Sequence, residues 1–143
     1  MNEHGSFTLR FVNDVIYLKM IGPWNAETFR HYNSDLTDML EQSGSSSFSG
    51  YVVLEGDSLM MPEVYDNFRI ASVQRVGTGL KNVAFLIRNS QCPLLVQEQI
   101  ASLYKDLPIN YRFFELKNSA ITWLQSLNVG LNNALVDSIE GYL

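Results

Sequence analysis

"YVVLEGDSLMMPEVYDNFRIASVQRVGTGLKNVAFLI", residues 51–87, changes its apolar period twice, and the rest of the fold is read outward from it. "YVVLE" is almost continuously apolar, which implies a strand buried on both faces. After the loop "GDSLMM", Pro62 suits the first position of a helix, where proline forfeits no hydrogen bond. Val64, Tyr65, Phe68, Ala71 and Val76 then recur at helical spacing up to Gly77, and "NVAFLI" returns to strand composition. Strand, helix and strand in that order form a βαβ unit, with parallel strands and a right-handed crossover.

Upstream, "SFTLRFV" and "VIYLKMI" read as two strands joined at Asn13-Asp14, a pair suited to a tight hairpin. A helix follows from Ala26 to Glu41, with Phe29, Tyr32, Leu36, Met39 and Leu40 on its inward stripe. "SGSSSFSG" reads as a flexible connecting loop. Downstream, Pro93 opens a third helix, with Val96, Ile100, Leu103, Tyr104 and Leu107 inward, and Pro108 closes it. "NYRFFEL" is a fifth strand, and Asn118 or Ser119 caps a fourth helix. The expected fold class is therefore α/β: a single-domain mixed, mostly parallel sheet of about five strands with four flanking helices, in the order β-β-α-β-α-β-α-β-α. Residues 1–130 form the domain, and 131–143 a C-terminal tail that a short helix would suit.

Composition narrows the partners. The chain has 143 residues, enough for one core, and a single cysteine, Cys92, which rules out an internal disulfide. The opening "MNEHGSFTLR" lacks the basic and apolar regions of a secretory leader, and no apolar run approaches the length of a membrane span. A cytoplasmic location is expected. The net charge of −5 argues against nucleic acid. Between Asn67 and Gln97, however, Arg69, Arg75, Lys81 and Arg88 occur without one acidic residue, so this segment carries +4 and the remainder −9. A peripheral association with the inner membrane face, or with an anionic ligand, follows from reading that run as one patch.

Catalytic patterns are sparse. His31 and Asp35 are spaced as a surface pair, His4 is near the terminus, and Cys92 at a helix start has no imidazole in an evident relation to it. "VGTGLKN" follows a helix and precedes a strand, the reverse of a phosphate loop, so Gly77 and Gly79 read as a helix end and turn. A lone site from Asp57, Glu63 and His31 is the residual enzymatic reading, and neither a cofactor nor a metal is implied. Two apolar features remain. Leu59, Met60 and Met61 stand in succession where polar turn residues are usual, and methionine adapts to irregular apolar partners. In "IGPWNAETFRHY", residues 21–32, Asn25 suits the N-cap, so Trp24 and Phe29 fall at the positions of a hydrophobic staple. Trp24 also follows strand two, as Met60, Met61 and Tyr65 follow strand three, at the sheet edge where α/β pockets form.

In "GPWN", "VVLEGDSLMMPEVYD" and "NSAITWL" the chain resembles STAS-like domains of the SpoIIAA-like family, over about residues 5–128. The resemblance implies a bacterial source, a mixed sheet flanked by helices, and no catalysis. In STAS domains that act as anti-sigma-factor antagonists, a serine at the start of helix two is phosphorylated within an Asp-Ser-Ser-Gly type motif. Here Met60, Met61, Pro62 and Glu63 stand about there, and Ser58 lies ahead of the helix. The SpoIIAA-like branch also resembles lipid-carrier domains in general architecture. The leading expectation is a non-enzymatic binding module for a small amphipathic or acidic-headed ligand, or an anionic membrane surface, at the strand-three/helix-two edge. Its site residues would be Trp24, Met60, Met61, Tyr65, Phe68, Arg69 and Arg75. The alternative is a regulatory domain that docks a protein partner, and the apolar spacing Leu131, Leu135, Ile139 suggests a homodimer through the tail.

Overall fold

In a computed structural model, which describes residues 5–140, the chain forms one five-stranded sheet in the order β1-β2-β3-β4-β5. The strands are β1 (Ser6–Val12), β2 (Val15–Ile21), β3 (Phe48–Glu55), β4 (Leu80–Arg88) and β5 (Asn110–Phe114). The helices are α1 (Ala26–Ser43), α2 (Pro62–Thr78), α3 (Pro93–Tyr104), α4 (Lys117–Ser126) and α5 (Asn133–Glu140). β1 is antiparallel to β2, and each later strand is parallel to its predecessor. Asn13 and Asp14, at φ 49° and 64°, make the hairpin turn with left-handed backbone at both positions, a geometry that twists with the strands.

Each parallel strand is laid beside the one before it in the same direction. Right-handed crossovers in one direction land on one face, so α1, α2 and α3 all cover the same side. There Leu18, Met20, Val52, Leu54, Val83 and Phe85 pack beneath the helices. On the opposite face Val15, Tyr17, Tyr51, Val53, Ala84 and Leu86 are covered by α4 and α5. β3 is buried along nearly its whole length, which accounts for its continuous apolar composition.

The ends of several elements depart from the sequence reading, most plainly as follows. Five helices occur among the described residues rather than four, because the tail forms α5, whose Val136 and Ile139 complete the second core. β3 begins at Phe48, so "FSG" belongs to the strand and not to the loop. α2 runs past Gly77 to Thr78, and the cap is Gly79, where a Cβ would lie 2.4 Å from the Ser46 carbonyl oxygen. α4 starts at Lys117 without a side-chain cap, ahead of Asn118 and Ser119.

α5 is fixed to the sheet by a buried polar cluster. The Glu140 carboxylate, 3% exposed, accepts from Tyr51 Oη at 2.8 Å and Arg88 Nη2 at 3.0 Å. Removing the carboxylate takes the shared acceptor from two donors at once. Glu140→Ala is expected to lower the unfolding free energy by about 3 kcal/mol, read from the urea midpoint at unchanged slope.

Candidate functional site

Beneath α2 the first core is not filled. Gly50 faces it from the middle of β3, in register with Ile16 on β2 and Val83 on β4. Above it α2 presents Ala71 and Ser72, both small. The nearest atoms to a Cβ at Gly50 would be methyl groups of Val83 and Val52, at 3.6–3.8 Å, which is ordinary contact distance. A cavity of about 70 Å³ remains, walled by side chains such as Leu18, Leu36, Val52, Leu54 and Phe85. The gap is thus a property of composition: three small residues coincide where larger ones would fit.

Polar groups close the cavity on the helix side. Tyr32 reaches it from α1, Ser72 and Arg75 from α2, and Tyr104 from α3. Arg75 is the one charged residue among those lining it. Its Nη2 donates to Asn33 Oδ1 at 2.9 Å, Thr37 Oγ1 at 3.0 Å and the Asn33 carbonyl at 3.3 Å. Among the described residues no carboxylate pairs with it, and its Nη1 and Nε have no hydrogen-bond acceptor. The Tyr32 hydroxyl likewise has no hydrogen-bond partner among the described residues.

The electrostatics follow from burial. Desolvation pushes the Tyr32 phenol above its ordinary pKa against the pull of Arg75, and lowers Arg75 below its own, with Tyr32 opposing. Desolvation also raises Tyr104, the neighbouring Tyr32 raises it further, and the Ser72 hydroxyl opposes the shift. At neutral pH both phenols are uncharged donors and the guanidinium remains a cation.

Three of the expected site residues, Met60, Phe68 and Arg75, line this cavity, and four do not. Trp24 is 3% exposed; its Nε1 donates to the Ser6 carbonyl at 3.1 Å, and its ring packs on Phe7, Tyr32 and Phe68. Asn25 caps α1 by accepting from the Thr28 amide at 3.1 Å, while Phe29 also meets Phe68, so one ring ties both staple residues together. A β-bridge between Trp24 and Met60 closes the strand-two/strand-three edge where the pocket was expected. Gln99 of α3 holds the Met60 backbone on both sides, accepting from its amide at 2.7 Å and donating to its carbonyl at 2.9 Å. Met61 is 65% exposed and Arg69 is exposed, whereas the Tyr65 hydroxyl lies 2.7 Å from Ser102 Oγ.

The basic run does not form one patch. Arg75 is turned toward α1, and Lys81 and Arg88 stand at opposite ends of β4, about 23 Å apart along a strand. Arg88 is engaged with Glu140 on the other face. The remaining chemical candidates are also dispersed. His31 Nε2 is 3.3 Å from Asp35 Oδ2 on the exposed side of α1, and His4 lies outside the described residues. Asp57 Oδ1 joins the loops after β3 and β4, accepting from the Gln91 amide at 2.8 Å, Ser90 Oγ at 2.9 Å and Cys92 Sγ at 3.6 Å. The Gln91 amide, then the Ser90 hydroxyl, hold its carboxyl below the usual range. Among the described residues no three His, Cys, Asp or Glu side chains converge as metal ligands, and no helix is long and apolar enough to cross a membrane.

No protein-family model matches this chain, and no curated protein matches it.

Sequence reasoning missed Gly50, Ser72 and Tyr104 as site residues and took Tyr32 for packing alone. The available signal was polar-tipped aromatics at inward positions of two helices. Gly50→Ala is expected to raise stability by about 1 kcal/mol, by removing a strand glycine and burying a methyl group, which is a rise of about 3–5 °C in Tm. Raised phenol pKa values make the folded state bind protons that the unfolded chain has lost above about pH 10. Their contribution is present below that pH and declines as pH rises past it. Tyr104→Phe should flatten the alkaline loss of stability in urea titrations as pH rises above about 10.

Proposed function

We infer that the chain is a non-catalytic binding module that takes a small amphipathic molecule into the cavity beneath α2. The observation that carries this reading is the coincidence of Gly50, Ala71 and Ser72 under a ceiling that includes a guanidinium with no carboxylate partner among the described residues. A core glycine in a central strand weakens it and marks a place where something else approaches closely. Apolar walls with a few converging polar groups are the usual composition of a small-molecule site.

This reading is preferred to an anionic membrane surface because the four basic residues are scattered. In addition, the start of α2, which carries exposed Met61, also carries Glu63. A surface that presents carboxylates beside its apolar side chains is repelled by anionic lipid. Kinship with STAS-like domains is proposed on the three sequence stretches alone, and a ligand-binding role without catalysis is compatible with it.

Calorimetric titration of the full chain with four-carbon probes bearing hydroxyl, amine or carboxylate heads tests the reading. At least one probe should bind, and Gly50→Val, which places a branched side chain in the gap, should abolish that binding while the circular dichroism spectrum is preserved. Silence from every probe, or equal binding to the filled variant, removes the cavity as the site.

A further inference from the structure

The geometry points to a short-chain aliphatic carboxylate of about four or five carbons as the ligand, with its tail over Gly50 and its carboxylate between Arg75 and Tyr32. This inference rests on the cavity reading above and adds the identity of the head, the length of the tail and the route of entry.

The head follows from the inventory of donors and acceptors. The cavity lining contains one cation, two phenols and two serines, and no carboxylate, lysine or histidine. Arg75 Nη2 is held by Asn33 and Thr37 of α1, which orients the guanidinium while Nη1 and Nε are left with donor capacity. The Tyr32 hydroxyl stands close enough to Arg75 for each to affect the other's ionisation, and it too is without a partner among the described residues. Two donor sets left open beside one another at the rim of an apolar cavity suit an anionic acceptor, and a guanidinium is matched in shape by a carboxylate. An ammonium head would meet a like charge, and a hydroxyl head would leave the cation without a counter-ion.

The tail follows from volume. An apolar cavity of about 150 Å³ accommodates benzene. The 70 Å³ here is about half of that, which allows roughly three or four carbons beyond the head. The route follows from Arg75, which borders both this cavity and a surface cleft of about 380 Å³ between α1 and α2 that is lined by Leu40, Phe48, Gln74 and Thr78. Glu41 borders that outer cleft but not the cavity, so an anion that passes Arg75 leaves the one nearby carboxylate behind it. Arg75 therefore stands at the threshold, where it can hold the head while the tail points inward.

Titration of the full chain with butyrate, 1-butanol, acetate and octanoate separates the possibilities. Butyrate should bind with a Kd below about 1 mM, and at least tenfold more tightly than 1-butanol, because a hydrogen bond to a charged group is worth about that factor. Acetate lacks the tail and octanoate exceeds the space, so both should bind at least tenfold more weakly than butyrate. Arg75→Gln should erase the preference of butyrate over 1-butanol without weakening 1-butanol, and Arg75→Lys should restore part of it. Equal affinity of the wild-type chain for butyrate and 1-butanol overturns the carboxylate assignment while the cavity stands. Tight octanoate binding overturns the length assignment, and failure of all four probes overturns both the inference and the cavity reading. These comparisons use the wild-type chain, so they hold even if Arg75→Gln does not fold.

Discussion

β3 is buried on both faces, and the rest of the molecule is arranged around that constraint. A central parallel strand with no wet side needs cover above and below. The monotonic strand order sends α1, α2 and α3 to one face, so the chain must continue past β5 to cover the other, which α4 and α5 do. The two layers are built differently. The rear layer is closed by Val136 and Ile139 and pinned by Glu140 to Tyr51 and Arg88. The front layer bridges Gly50 and retains a cavity.

The same strand order explains where the cavity lies. In doubly wound sheets a crevice opens beyond the carboxyl ends of strands where successive crossovers diverge to opposite faces. Here successive parallel connections all go the same way, and the edge is sealed by the bridge between Trp24 and Met60. Open space is found under a helix instead, between layers, where only the sizes of residues facing one another decide whether a core is full.

Much of the fold was legible because it depends on local chemistry. Asn13-Asp14 tolerates left-handed backbone, Pro62 and Pro93 start helices, and inward stripes at helical spacing marked α1 to α3. The misreadings lie where tertiary packing overrides such signals. A serine- and glycine-rich stretch looks like a loop, yet its last residues enter β3 because Gly50 lies between Ile16 and Val83 in the sheet. α4 begins without the side-chain cap that Asn118 or Ser119 offered. The candidate site was less legible than the fold. Met60, Phe68 and Arg75 were found as apolar or charged residues near helix two, but a cavity is defined by atoms that are missing. Gly50 became informative only once Ala71 and Ser72 were known to face it. Whether the basic run forms one patch was not legible for a similar reason, since neighbours in sequence on a strand can be far apart in space, as Lys81 and Arg88 are.

Tyr17 and Tyr51 lie in the rear core, and Tyr32 and Tyr104 pack on the front one. At the rear, Tyr51 donates to Glu140 and Tyr17 accepts from the Asn132 amide at 2.8 Å, so each phenol serves as a peg between layers. At the front, Tyr32 and Tyr104 converge under α2, and the Tyr32 hydroxyl is uncommitted among the described residues. The two layers are therefore joined to the sheet in different ways, the rear through phenol hydrogen bonds and the front around a small cavity, where amide exchange in α2 is expected to be faster.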